Sequence, residues 1–495
     1  MRTINQIASA VLLSSVIALS GCSCFQKSSS QCCGPECKME STSSFRGPVA
    51  GTRMTEAYVE QVGRYAYFWG WPLANMHNRR IIMKQVPEPG LMGGIVPVAP
   101  PNSLCMLHDY VEPQERLVAC PNQDVIYGFG ILSLEDEPVV IQVPDFGDRF
   151  WVYQVCDQRT DGFASLGKMY GTKPGFYLLA GPDWKGKTPD GITAVFRSTT
   201  AMGVVIPRVF TKDDEADKDA VRQLTKGITM YPLSKYDGKM KEVDWATVPK
   251  FPNPSSDQGE AETKWVDPDK FFAEFGAVLD EVPPLPGEEA LYAQFRSVLV
   301  AAQKDGTLME ALKKSAASAD RELVTPLFQF KNSGLSMPNN WTTINDGAAF
   351  GVDYLTRTAA AKANIFVNKS NETKYFYLDV DVSGESLNGS QRYAITFAKG
   401  QLPPVKGFWS LTVYNEHHFF APNAINRYSL GTKNENLKYN PDGSLTLYIQ
   451  AEAPTDQSNW LPVPDGDFSL YLRAYWPDKE VLDNRWTPPA VEKAE

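Results

Sequence analysis

Residues 122–157 read NQDVIYGFGILSLEDEPVVIQVPDFGDRFWVYQVCD, and this stretch decides the fold class. Its apolar blocks, VIYGFGILSL, PVVIQVP and RFWVYQVCD, are rich in β-branched and aromatic residues, and Asp, Pro or Gly closes each one. Successive side chains on a strand point to opposite faces, so short runs with turn punctuation read as strands rather than helices. GFYLLAG, ITAVFRS and MGVVIPRVF carry the pattern to residue 210. A second series fills the last third: KYFYLDVDV, QRYAITFA, GFWSLTVYN, RYSLG, GSLTLYIQAE and FSLYLRAYWP, joined by turns such as Asn388-Gly389 and Asp442-Gly443. The expected fold is mainly β, with two antiparallel β-sandwich or jelly-roll-like domains bridged by helices.

Before and between the two series the apolar spacing becomes helical. A helix opening on a Thr55 N-cap puts Tyr58, Val62, Tyr65 and Trp69 on one stripe. Gly70 and Pro72 predict a break, with a second helix over 73–84. Residues 213–227, DPDKFFAEFGAVL, GEEALYAQFRSVLVAAQ, GTLMEALKKSAASADREL and 348–363 give the remaining helices. The expected organisation is an N-terminal β domain with leading helices over 54–235, a helical segment over 236–335, and a C-terminal β-sandwich over 336–491.

What precedes residue 54 is not part of the fold. MRTINQIASAVLLSSVIALSGC has one Arg near its start and an apolar run too short for a membrane span, and it ends in Leu19-Ser20-Gly21-Cys22. The ending resembles the bacterial lipobox, which implies a signal peptide over 1–21, lipidation of Cys22, and a Cys- and Ser-rich tail over 22–53. The alternative is an ordinary signal peptide with a coincidental Cys. Ser23 after the anchor favours the outer membrane, facing the periplasm. In that oxidising compartment Cys24, Cys32, Cys33 and Cys37 read as disulfide partners, with a thiolate metal site as the rival. One disulfide is expected among Cys105, Cys120 and Cys156. The formal charge of −10, and the lack of any long Lys/Arg block, argue against a nucleic-acid partner.

Several motifs point to chemistry and are then weakened by their surroundings. His417-His418 is half of the chain's four histidines. On a strand the pair cannot chelate one ion, and in a turn it lacks further ligands at readable spacing, so a polar hairpin turn is the plainer reading. Asp379, Asp381, Ser383 and Gly384 begin like a calcium loop, but Ser390 stands where a bidentate Glu is needed. Ser165 and Lys168 form a Ser-x-x-Lys match without its companion motifs. No metal or cofactor is called for.

Polar residues inside apolar strands carry more weight, because burying them needs a reason. Asp124, Asp157, Arg197 and Arg208 are such residues. A buried Asp can act as acid or base, and an Arg can hold an anion; alternatively these are Asp–Arg pairs closing strand ends. Trp151, Tyr153 and Trp409 line a pocket on one reading and fill the core on the other.

The stretches PNQDVIYGFG through TDGFASLG and GFYLLAGPDWKGKTPDGI resemble the family called domain of unknown function 1254. KGQLPPVKGFWSLTVYNEHHFFAPNAINRYSLG, with LKYNPDGSLTLYIQAEAP and FSLYLRAYWP, resembles its usual partner, domain of unknown function 1214. The resemblance implies paired β-sandwiches bridged by helices and assigns no activity. It maps an Asn-x-Asp-Thr-x-Tyr box onto Asn122, Asp124 and Tyr127, with Val125 in place of Thr. It also maps a strand-end acid onto Asp157, a basic pair onto Arg197 and Arg208, and further positions onto Trp409, Tyr414, Asn426 and Arg427. The histidine pair falls between matched motifs.

The resulting expectation is a lipid-anchored envelope protein acting as an enzyme on a small polar or anionic molecule. Asp124, Asp157 and Tyr127 would be catalytic, and Asn122, Arg197, Arg208, Trp409, Tyr414, Asn426 and Arg427 would bind. The alternative is a non-catalytic scaffold or ligand-binding lipoprotein, for carbohydrate among others. Homo-oligomerisation is left open.

Overall fold

The main strands of the N-terminal sandwich are β1 (Val125–Ser133), β2 (Val139–Val143), β3 (Trp151–Asp157), β4 (Gly175–Ala180), β5 (Ile192–Arg197), β6 (Met202–Phe210) and β7 (Met230–Pro232). In the computed structural model, which describes residues 47–252 and 262–494, β1, β6 and β3 lie side by side, extended by Cys105–Met106 and Leu166–Gly167 into a five-stranded sheet. The facing sheet has the order β7-β2-β4-β5 and is antiparallel except for the β4–β5 pair. Alternation assigns the faces. Ile126, Leu132, Tyr153, Val155, Val205 and Val209 meet Val139, Ile141, Tyr177 and Leu179 in one core between the sheets. The residues between them, including Ile131, Cys156, Val204 and Ile206, point outward into a second apolar cluster shared with the helices. Both faces of this sheet are therefore covered, and β3 and β6 are buried along nearly their whole length.

The C-terminal sandwich repeats the plan with β8 (Thr373–Leu378), β9 (Tyr393–Phe397), β10 (Trp409–Asn415), β11 (Ser429–Gly431), β12 (Leu445–Gln450) and β13 (Phe468–Tyr475). The larger sheet runs β8-β13-β10-β11, and β12 and β9 belong to the smaller one. Phe376, Leu411, Leu470 and Leu472 meet Ile395, Phe397, Leu447 and Ile449 in its core. The opposite face of the larger sheet presents Tyr375, Tyr377, Tyr414 and Tyr471 to Cys120, Phe330 and Val367. Val125, Phe150 and Val152 of the first sandwich meet Phe408 and Tyr475 of the second. Each sandwich thus turns the outer face of its larger sheet toward a common seam.

The helical layer contains α1 (Glu56–Met83), α3 (Phe271–Glu281), α4 (Glu289–Ala302), α5 (Gly306–Ala319) and α6 (Tyr354–Ala363), while α2 (Glu215–Thr225) lies in the N-terminal half. Thr55 caps α1 by accepting from Tyr58 N. The expected break at Gly70-Pro72 is absent, because α1 runs unbroken through both residues. Proline at 72 removes the N–H that would reach the carbonyl four residues earlier, leaving Phe68 O without its helical donor. The Thr358 hydroxyl of α6 donates to that carbonyl at 3.1 Å. Gly70 is needed where it stands: a Cβ there would lie 2.6 Å from the Phe275 ring. The helix therefore survives because α6 and α3 supply from outside what its own sequence lacks. No helix among the described residues is long and apolar enough to cross a membrane.

The disulfide expected among the three domain cysteines is not formed. Cys105, Cys120 and Cys156 are free, buried thiols in three different apolar clusters. Cys22 and the four cysteines that follow it lie outside the described residues.

Candidate functional site

The outer face of the five-stranded sheet is the floor of the site. Arg208 on β6 stands opposite Tyr127 on β1, so both side chains leave the same face. Pro207 has no N–H to give, and the β6–β1 ladder skips it while keeping register on both sides. Arg208 is 5% exposed. Its Nη2 donates to Gln154 Oε1 at 2.7 Å and to Phe366 O at 3.4 Å, but Nε and Nη1 have no partner among the described residues. Those two atoms carry three of the five guanidinium N–H groups. No carboxylate among the described residues pairs with Arg208, although a buried charge normally takes one.

Above this floor is an apolar cavity of about 90 Å³. Its walls include Met83 of α1, Leu107, Val111, Leu117, Phe129 and Phe366, and Arg208, Tyr127, Glu115 and Arg79 interrupt them with polar groups. Few polar groups in an apolar concavity is the ordinary composition of a small-molecule site. Burial pushes the Tyr127 phenol up, so it remains a donor at neutral pH.

Glu115 lies in the loop leading to β1 and is 5% exposed. Oε1 accepts from the backbone N–H groups of Leu117 and Val118, the latter at 2.7 Å, while Oε2 has no partner among the described residues. Burial raises this carboxyl to about 7. Arg79 acts on it through its charge, yet Arg79 donates to Asn75 Oδ1 at 2.7 Å, Leu117 O at 2.9 Å and Glu262 Oε1 at 3.3 Å, and to no atom of Glu115. Its guanidinium stacks on the Trp265 ring at 4.2 Å, and burial lowers it to about 10. Burial likewise raises Glu262 to about 7.

Of the sequence-predicted residues, Tyr127 and Arg208 share this cavity and the others do not line it. Asp124 and Asp157 stand at opposite ends of β6: Val125 pairs with Phe210, and Asp157 with Gly203. Asp124 lies level with Thr211, so eight residues at about 3.3 Å each separate the two by roughly 26 Å, too far to act on one small molecule. Asp157 closes a turn, with Oδ1 accepting from Arg159 N at 2.8 Å and Asp161 N at 3.1 Å, and Oδ2 from the Thr199 hydroxyl. Burial raises its carboxyl.

Asp124 belongs to a wedge, residues 120–124, that the first sandwich pushes into the second. Asp124 Oδ1 accepts from Ser429 Oγ at 2.9 Å, with Lys433 Nζ at 4.0 Å. Asn122 donates to Tyr475 Oη at 2.6 Å, and Gln123 donates to Asn426 O at 2.7 Å and accepts from Tyr428 N at 2.9 Å. Tyr414 donates to Pro121 O, and Arg473 donates to Cys120 O at 2.9 Å and to Tyr414 Oη at 2.7 Å. Asn122, Tyr414 and Asn426 are therefore used in joining the halves.

Arg197 holds the carbonyls of Gly181 and Trp184 at the edge of the smaller sheet, and Arg427 holds those of Gln457 and Trp460. Trp151, Tyr153 and Trp409 lie in the two sandwich cores. The histidine pair follows β10 in a turn. His418 is stacked between Phe328 and Phe330, at 4.0 and 4.3 Å, and burial lowers it to about 3.

The same signal that singled out Arg208, a charge inside an apolar strand, was also present for Arg473 in LYLRAYW. No comparable signal marks Glu115 or Arg79.

Two sandwiches joined through a wedge, with a cavity on the outer face of the first, define the class. Residues 101–232 match the family described as "Protein of unknown function (DUF1254)", and residues 372–479 match "Protein of unknown function (DUF1214)". The first match lies in the N-terminal half of the chain and the second in the C-terminal half. Among solved structures it is similar to the VPA0106 protein from Vibrio parahaemolyticus, with 20% identity and a TM-score of 0.60, covering 88% of this chain and 100% of that one. It is also similar, at 10% identity and a TM-score of 0.42, to an uncharacterized protein from Burkholderia cenocepacia, covering 88% of this chain and 94% of the other. No curated protein matches.

Proposed function

We propose that this chain is a lipid-anchored envelope protein that binds a small, mostly apolar molecule in the cavity, with Arg208 and Tyr127 receiving its one polar end, a carboxylate or carbonyl oxygen. The observation that carries the reading is Arg208: a buried guanidinium with two nitrogen atoms unpartnered, beside an apolar cavity. Leaving such donors unmet costs on the order of 1–3 kcal/mol, more for a charged group, and an acceptor arriving with a ligand recovers it. The apolar walls favour a short hydrocarbon body over a sugar. The anchor at Cys22 would hold the protein at the outer membrane, facing the periplasm.

Calorimetric titration of the intact protein with octanoate tests the pocket. Saturable binding that Arg208→Met abolishes, with the far-UV spectrum and melting curve retained, is the expected result. Octanoate binding of equal strength in that variant would remove Arg208 from the site. The anchor is tested by labelling cells with an alkynyl palmitate analogue: incorporation should occur and should vanish in Cys22→Ser.

A further inference from the structure

We propose that Glu115 is the acid–base residue of this cavity and that the reaction is an enolisation: Glu115 takes a proton from the carbon next to a carbonyl group whose oxygen Arg208 and Tyr127 hold. The proposal rests on the reading of Arg208 as the group that receives the polar end.

Three features of Glu115 support it. Its carboxylate is fixed, because two successive backbone N–H groups engage Oε1. Its other oxygen is buried and unpartnered although Arg79 is near. It also lines the same cavity as Arg208 and Tyr127. A base on one wall and two donors on another, in apolar surroundings, is the arrangement that carbon-acid chemistry requires. The cavity's other reactive group is Cys120, whose Sγ lies 3.4 Å from Ala363 O and whose thiol burial pushes up, so it is a poor nucleophile.

The step balances within the substrate. The ionised Glu115 forms an O–H bond with the α-proton. The C–H electron pair becomes a C=C bond, and the C=O π pair moves to oxygen, where the N–H groups of Arg208 and the O–H of Tyr127 stabilise the charge. Returning the proton to the same carbon gives exchange; returning it two carbons further along an unsaturated substrate moves a double bond. No oxidant or reductant is consumed.

A base at about 7 is half-ionised at neutral pH, which suits reversible proton transfer. Burial raises it most, the N–H groups of Val118 and Leu117 lower it, Glu262 before α3 raises it and Arg79 of α1 lowers it; Arg208 and Tyr127 are the other charged or titratable groups that face it from the floor.

The test uses 2-octanone as probe, with the intact protein in D2O, and follows deuterium at carbons 1 and 3 by mass spectrometry. Binding is read separately from the fluorescence of Trp265, which lines the cavity. The wild type should exchange above the buffer rate, along a pH profile rising through about 7. Glu115→Gln should lower exchange by about 10²- to 10⁴-fold while changing the dissociation constant less than about twofold. Bound 2-octanone without exchange in the wild type overturns the enolisation and leaves the binding reading standing, as does undiminished exchange in Glu115→Gln. Failure of the wild type to bind both 2-octanone and octanoate overturns the binding reading itself.

Discussion

Glu115→Gln in the ligand-free protein should change the pH dependence of stability by an amount the structure sets. The carboxyl lies at about 7 in the folded chain against an ordinary 4.5, with burial as the cause. Between those values the folded state keeps a proton that the unfolded state has lost. The stabilisation is therefore complete below pH 4.5 and is lost as pH rises through 7. The gap between those values corresponds to roughly 3 kcal/mol, most of which falls between pH 5 and pH 8. Glutamine keeps an oxygen for Leu117 and Val118 and cannot ionise. The variant should therefore gain on the wild type by about that much on going from pH 5 to pH 8. Urea unfolding at the two pH values, with equal slopes required, measures it. A variant destabilised equally at both would mean that Glu115 acts only through its hydrogen bonds, and that its second oxygen is not desolvated as described.

Thr358→Val should cost about 1–3 kcal/mol by stranding the Phe68 carbonyl, and much of that cost should disappear in a Pro72→Ala background, where the helix regains its own donor; additive costs in urea unfolding would contradict the account of α1. Asp124→Asn should destabilise by a similar 1–3 kcal/mol through Ser429 and Lys433, yet leave octanoate affinity within about twofold in calorimetry. Gly70→Leu should lower yield and melting temperature sharply, since Phe271 and Phe275 already fill its surroundings; a fully stable variant would mean that α3 moves freely.

The strands were readable because apolar alternation and turn chemistry are local properties. The unbroken α1 was not, because Thr358 completes it from far along the chain. The missing disulfide has the same origin: each cysteine is an ordinary small apolar residue in its own cluster, which spacing cannot reveal. Tyr127 and Arg208 were legible as polar residues inside apolar strands. Asp124 and Asp157 gave the same signal, yet the strand register sets them at opposite ends of β6, and register is fixed by pairing rather than by composition. Glu115 sits in VEPQERLVAC, a stretch whose charges suggest an exposed loop, and only the packing of α1 and Trp265 over it makes the carboxylate unusual.

The wedge at residues 120–124 has a consequence for exchanging parts between relatives. Asn122, Gln123 and Asp124 end on Tyr475, Asn426 and Ser429. A chimaera that imports one half from a distant homologue would inherit a lock without its key: buried amides and a carboxylate would face residues chosen for another partner. Swaps should succeed only when both sides of that seam travel together, so the two halves are exchangeable as a pair and not as modules.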